Sequence, residues 1–183
     1  MWRYGKPEGG LVFCVAILIA LGANLASPDF ASPRETLAAA VDRLAACGLA
    51  VEARSRWYRS PAWPPSDQPD YVNGVIRVMT ECEPEALLLL LQQVEEAFGR
   101  VRTIRNAARV LDLDLVAYNR KVMRTADDRL ILPHPWVQDR PFVLLPLRDV
   151  APGWTHPVSG LSVEAMLQAL DCSATVPLDG GPA

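Results

Sequence analysis

The hydrophobic positions change period several times along the chain. Leu11 to Leu21 is an unbroken apolar run of eleven residues. It is too short to span a bilayer, which needs about 20. Val12, Val15, Ile17 and Ile19 suit a central strand covered on both faces. Arg3 and Lys6 ahead of the run, and small residues after it, also give it the outline of a signal-peptide core. The strand is the stronger reading. Residues 1–10 read as a flexible extension. The run ends in the turn-forming Leu21-Gly22-Ala23-Asn24.

From Pro33 to Ala46 the period becomes helical. Leu37, Val41 and Leu44 share a face, Ser32 suits the N-cap with Glu35 three residues on, and Gly48 stops the helix. Leu49 to Tyr58 alternates loosely and predicts one strand. Arg59 to Asp70, rich in proline and polar residues, predicts a loop. Within that loop Trp63 is either a lid on the core or a ligand contact. Tyr71 to Glu81 predicts a strand with Val72, Gly74, Ile76 and Val78 on one face. Tyr71 and Asn73 share the other, either as exposed decoration or as a surface for a flat ring. Pro84 to Phe98 is the clearest helix, closed by Gly99, with Glu95 facing the arginines that follow.

Val110 to Tyr118 predicts a strand and Asn119 to Arg129 a hairpin or excursion. Phe142 to Leu147 reads as a short apolar stretch interrupted by Pro146. Ser162 to Leu170 predicts a short helix, and residues 171–183 a weak tail. The order strand, helix, strand, strand, helix, strand predicts a βαββαβ sandwich with helices on one face of one sheet. Residues 11–170 form the single expected domain.

The 183 residues carry 18 Lys and Arg against 21 Asp and Glu, a net charge of −3. Bulk positive charge for nucleic acid is therefore missing. Cys14, Cys47, Cys82 and Cys172 form no Cys-x-x-Cys pair and read as free thiols in a reducing compartment. No glycine-rich dinucleotide or phosphate loop is present, so side chains must grip any nucleotide.

Against that background Arg100, Arg102, Arg105 and Arg109 fall within ten residues. Guanidinium forks match phosphate oxygens, although such a run is also compatible with solvated surface charge. Asp112-Leu113-Asp114 follows in the predicted strand, with both carboxylates on one face. Two such carboxylates repel unless a cation lies between them, and magnesium with phosphate oxygens is the natural one. The pair points to metal-assisted phosphoryl transfer. His134, between two prolines, is placed to contact a phosphate or to cap its loop.

At these residues the chain resembles the 6-hydroxymethyl-7,8-dihydropterin pyrophosphokinase family over roughly Val12 to Pro152. The resemblance rests on Ala20-Leu21-Gly22-Ala23-Asn24-Leu25, Trp57-Tyr58-Arg59-Ser60-Pro61 and Asp67-Gln68-Pro69-Asp70-Tyr71-Val72-Asn73. It continues through Gly99-Arg100-Val101-Arg102, Arg109 to Leu115, and Leu132-Pro133-His134-Pro135 to Phe142. It implies an α+β, ferredoxin-like fold with mobile catalytic loops at Arg59 to Asp70 and Val101 to Arg109. It also implies diphosphate transfer from ATP to the hydroxymethyl group of the reduced pterin in folate biosynthesis. Asp112 and Asp114 match the ligands of two magnesium ions, and Arg100 and Arg109 the arginines that aid transfer. Gln92, Glu95, Arg102, Arg105, Arg129, His134 and Arg140 match the ATP side. Ser60, Pro61, Trp63, Tyr71, Asn73 and Phe142 match the pterin pocket. A cytoplasmic monomer with no nucleic-acid or membrane partner is the corresponding expectation.

One block departs from the family. Its usual Arg-Trp-Gly-Pro-Arg is Arg105-Asn106-Ala107-Ala108-Arg109 here. The stacking tryptophan is gone, and Trp63 is the candidate to compensate. The departure motivates an alternative, a catalytically weak relative that binds ATP or pterin. A ferredoxin-like RNA-binding module is a third reading, disfavoured by the charge and the paired aspartates.

Overall fold

The structure is a computed structural model that describes residues 16–27, 29–100 and 108–178. The extension 1–10, Cys14, Arg102, Arg105 and the Asn106-Ala107 departure lie outside the described residues.

Strand β1 (Ile17–Ala23) is the central strand, as the apolar run predicts. It pairs antiparallel with β4 (Tyr71–Met79) on one side and β5 (Asp112–Tyr118) on the other. Its side chains alternate between two cores. Ile17, Ile19 and Leu21 enter one with Leu37, Val41, Leu87 and Leu91. Leu18 and Ala20 enter the other with Leu144, Leu147 and Trp154.

Helix α1 (Pro33–Ala46) keeps its predicted bounds. The Ser32 hydroxyl accepts from the Glu35 backbone N–H at 3.3 Å. The Glu35 carboxylate accepts from Ala31 N–H, one residue before the usual capping-box partner. Gly48, at φ +94°, takes the left-handed turn that ends the helix. Helix α2 (Pro84–Ala97) buries Leu87, Leu91, Val94 and Glu95.

Three expectations change. The predicted strand Leu49 to Tyr58 is two strands, β2 (Ala50–Arg54) and β3 (Tyr58–Ser60), both along the same edge of β4. The ladder breaks where Ser55 Oγ accepts from Val75 N–H and Trp57 turns in against Gly74. A Cβ at Gly74 would lie 2.5 Å from Trp57 Cζ3, so only glycine admits the indole.

The apolar stretch around Phe142 is a helix, α3 (Pro141–Val150), despite Pro146 within it. Pro141 starts it, and Val143, Leu144, Leu147 and Val150 give it a helical face. That face covers the side of the sheet opposite α1 and α2, so helices pack on both faces. Last, Val176–Pro177, in the stretch expected to be a tail, extends the sheet beside β3.

The strands β6 (Met123–Arg124) and β7 (Ile131–Leu132) form the expected hairpin excursion. The short helix expected over Ser162 to Leu170 is α4 (Val163–Gln168), and the Ser162 side chain caps it. The main sheet is antiparallel in the order β5-β1-β4-β3, the ferredoxin-like arrangement, with β2 also on β4. Among the described residues, no helix is long and apolar enough to cross a membrane.

Candidate active site

Strand register builds the floor. Gly22 lies opposite Asn73 on one side and Asp112 on the other, and Ala20 lies opposite Val75 and Asp114. Small residues on the middle strand therefore leave space between an amide wall and a carboxylate wall. The face is the one α3 covers, and the first turn of α3, with Phe142 and Val143, borders this space. The result is a cavity of about 470 Å³.

One wall suits a flat polar ring. Tyr71, Asn73, Ser60, Pro61, Trp63 and Phe142, the six expected pterin-side residues, all line the cavity. Asn73 is buried, and its Nδ2 donates to Ser60 Oγ at 3.0 Å. That bond fixes the amide plane on a strand rather than a loop. Asn73 is buried and Tyr71 half-buried, so neither is solvent-exposed decoration.

The opposite wall is charged. Asp112 Oδ1 lies 2.7 Å from Arg100 Nη1, and its Oδ2 accepts from Arg109. Arg100 also donates to Glu95, which is buried and accepts from the Leu113 backbone N–H at 2.7 Å. Glu95 thus ties the start of β5 to Arg100, in the orientation its helix position predicts.

Asp114 stands beyond Asp112 with no such close partner among the described residues. Arg140 Nη1 is 3.8 Å from its carboxylate and His134 Nε2 is 3.9 Å away. Desolvation, reinforced by the charge of Asp112, pushes the Asp114 carboxyl up to about 7. Burial, with the Arg140 charge adding to it, lowers His134 to about 4. Near neutral pH the imidazole is therefore uncharged. Its Nδ1 accepts from Trp136 N–H at 3.2 Å, so the proton sits on Nε2, facing the cavity.

The paired carboxylates fit a hard cation. They offer only oxygen donors, and the like charge that raises Asp114 is relieved by positive charge between them. Among the described residues, no group of three or more His, Cys, Asp or Glu could complete a shell. A cation held here would take its remaining ligands from water and phosphate, as magnesium does.

Not every expected residue reaches the cavity. Arg109, Asp112, Asp114, His134 and Arg140 line it, and Arg100 joins through Asp112. Gln92 is half-buried on α2, one turn before Glu95, and is not among the lining residues. Arg129 is exposed and pairs with Asp127 in the β6–β7 turn, away from the lining residues. Sequence reading missed Gln68 and Trp136 as lining residues. It also missed the part Asn24 plays. That side chain is buried, donates to Gln68 Oε1 and Pro69 O, and accepts from Arg109 N–H.

The profile of the family 7,8-dihydro-6-hydroxymethylpterin-pyrophosphokinase matches residues 18–152. The 2-amino-4-hydroxy-6-hydroxymethyldihydropteridine pyrophosphokinase of Synechocystis is 39% identical over 169 residues, covering 92% of this chain and 83% of the relative. The enzyme of that name from Methylorubrum extorquens is 42% identical over 138 residues, covering 75% and 85%. Among solved structures, the HPPK-DHPS of Plasmodium falciparum superposes with a TM-score of 0.61 over 84% of this chain. At 12% identity that likeness concerns the fold, and the chain spans 43% of the Plasmodium chain's length.

Proposed function

The chain belongs to the 7,8-dihydro-6-hydroxymethylpterin-pyrophosphokinase family, and we propose that it transfers diphosphate from ATP to 6-hydroxymethyl-7,8-dihydropterin. The supporting observation is the single cavity that joins a ring-recognition wall to a carboxylate pair flanked by guanidiniums. The substrate hydroxyl oxygen attacks the β-phosphorus. The bond from that phosphorus to the α,β-bridging oxygen breaks, AMP leaves, and the hydroxyl proton passes to water.

Each wall has a part in this step. Phe142 and Tyr71 offer ring faces to the pterin. Asn73, locked by Ser60, presents its amide to the pterin edge. Asp112 and Asp114 hold magnesium, two ions by family resemblance, which when bound neutralises triphosphate oxygens. Arg100 and Arg109 stabilise charge on the transferring group. His134 offers Nε2–H and Arg140 its guanidinium to the nucleotide phosphates. Arg102 and Arg105 belong to the same ATP grip by resemblance, as do Gln92 and Glu95. Glu95 acts through Arg100 and the backbone of Leu113.

A hydroxyl is a poor nucleophile, so alignment and exclusion of water carry most of the acceleration. Residues 61–64 and Gln68 line the cavity, and by resemblance the segments Arg59 to Asp70 and Val101 to Arg109 are the ones proposed to close over it. Action as a monomer is the expectation that the family resemblance carries. ATP as donor supports a cytoplasmic setting. The test is AMP release with ATP, magnesium and the hydroxymethyl dihydropterin. AMP that appears only with the pterin supports the transferase. ATP binding without pterin-dependent AMP would leave a nucleotide-binding relative instead.

A further inference from the structure

One cation in the cavity has surroundings that phosphate binding alone does not explain. Arg140 is the N-cap of α3. Its Cζ lies 5.6 Å from the Trp63 ring centroid and 5.8 Å from that of Phe142. Its Nε is buried and has no hydrogen-bond partner among the described residues. Its nearest cavity carboxylate, Asp114, is 3.8 Å away. Two ring faces, rather than a close salt bridge, therefore define where this guanidinium rests.

The two rings have different origins. Phe142 is two residues from Arg140, so their proximity is local. Trp63 comes from the loop after β3, far from Arg140 along the chain, and is 55% exposed. Its own burial does not account for its place over Arg140. Cation–π attraction to a partly dehydrated guanidinium does.

Resting on the reading of the site given above, we propose that Trp63 is a positioning residue for Arg140. Its indole face fixes the guanidinium beside Asp114, so the loop on the pterin side sets the grip on the triphosphate. A change in that loop is then felt as nucleotide affinity, even with no pterin bound.

Calorimetry with α,β-methylene ATP and magnesium, without pterin, tests this on Trp63→Leu, Trp63→Phe, Arg140→Gln and the Trp63→Leu/Arg140→Gln double variant. Trp63→Leu is expected to weaken the analogue about fivefold, with Trp63→Phe recovering most of that loss. In the Arg140→Gln background, Trp63→Leu is expected to change nothing further. An undiminished effect in that background, or a loss confined to pterin affinity, overturns the proposal. Should Arg140→Gln fail to fold, the Arg140 Nε–Hε NMR resonance decides. It must sit upfield in the native protein and move downfield in Trp63→Leu; an unmoved resonance refutes the contact. Pterin-dependent AMP release by the native protein is scored separately, so failure of the transferase reading is not confused with failure of this one.

Discussion

Asn24 and Arg109 bond to each other in both directions. The Arg109 backbone N–H donates to Asn24 Oδ1 at 2.7 Å, and the Arg109 carbonyl accepts from the Asn24 N–H at 3.0 Å. The Asn24 amide also donates to Pro69 O at 3.2 Å. One buried side chain thus joins the end of β1, the pterin-side loop and the residue that reaches Asp112. Asn24→Ala leaves the Arg109 N–H without its acceptor, at a cost of about 1–3 kcal/mol. We expect a modest fall in the denaturation midpoint and at least a tenfold loss of kcat. A stability loss with kcat unchanged would show that Asn24 holds the fold but not the site.

Gly74→Ala brings a methyl into the Trp57 ring, and a β-strand backbone cannot retreat far. Overpacking of this kind costs about 1–3 kcal/mol. A lower melting temperature is expected, partly restored when Trp57 is also changed to Leu. Equal losses in the single and double variants would remove the steric explanation.

Asp149 gives a pH-dependent contribution to stability. Burial pushes its carboxyl up, but hydrogen bonds from Arg56 and Tyr58 together outweigh that and hold it below its ordinary 3.8. A depressed carboxyl stabilises the fold above its unfolded value and loses that contribution as pH falls through the folded one. The stability difference between native protein and Asp149→Asn should therefore be full near pH 6. It should shrink as pH drops below about 4. Urea titrations at several pH values measure it, and a difference that does not vary with pH rules it out.

Asp114 titrates at the other end of the acid range. Its carboxyl, raised to about 7 by desolvation and by Asp112, must lose a proton to hold a cation. Metal affinity in the presence of nucleotide should fall as pH drops below 7, by up to about tenfold per pH unit. A metal affinity that stays flat between about pH 6 and pH 8 would assign the proton elsewhere.

Much of this site is legible in sequence because its logic is local. Asp112 and Asp114 share a face because strand side chains alternate, and the Ser32 cap sits next to its helix. What sequence reading misses depends on contacts between distant residues. The break between β2 and β3 exists because Trp57 meets Gly74 across the sheet. Asn24 becomes part of the site only when Arg109 folds back to it. Helix α3 was hidden by Pro146, which looks like a breaker, although Val143, Leu147 and Val150 keep a helical face through it. Arg129 matches a family position, yet its side chain closes on neighbouring Asp127 instead of reaching the cavity.

The central claim is that Asp112 and Asp114 hold cations against a triphosphate gripped from the other side by guanidiniums. Manganese bound per chain, measured by electron paramagnetic resonance in the presence of α,β-methylene ATP, tests it directly. The account predicts nucleotide-dependent manganese binding in the native protein. It predicts loss of that binding in both Asp112→Asn and Asp114→Asn, with the fold intact by circular dichroism. Manganese binding that is unchanged in both variants would contradict it.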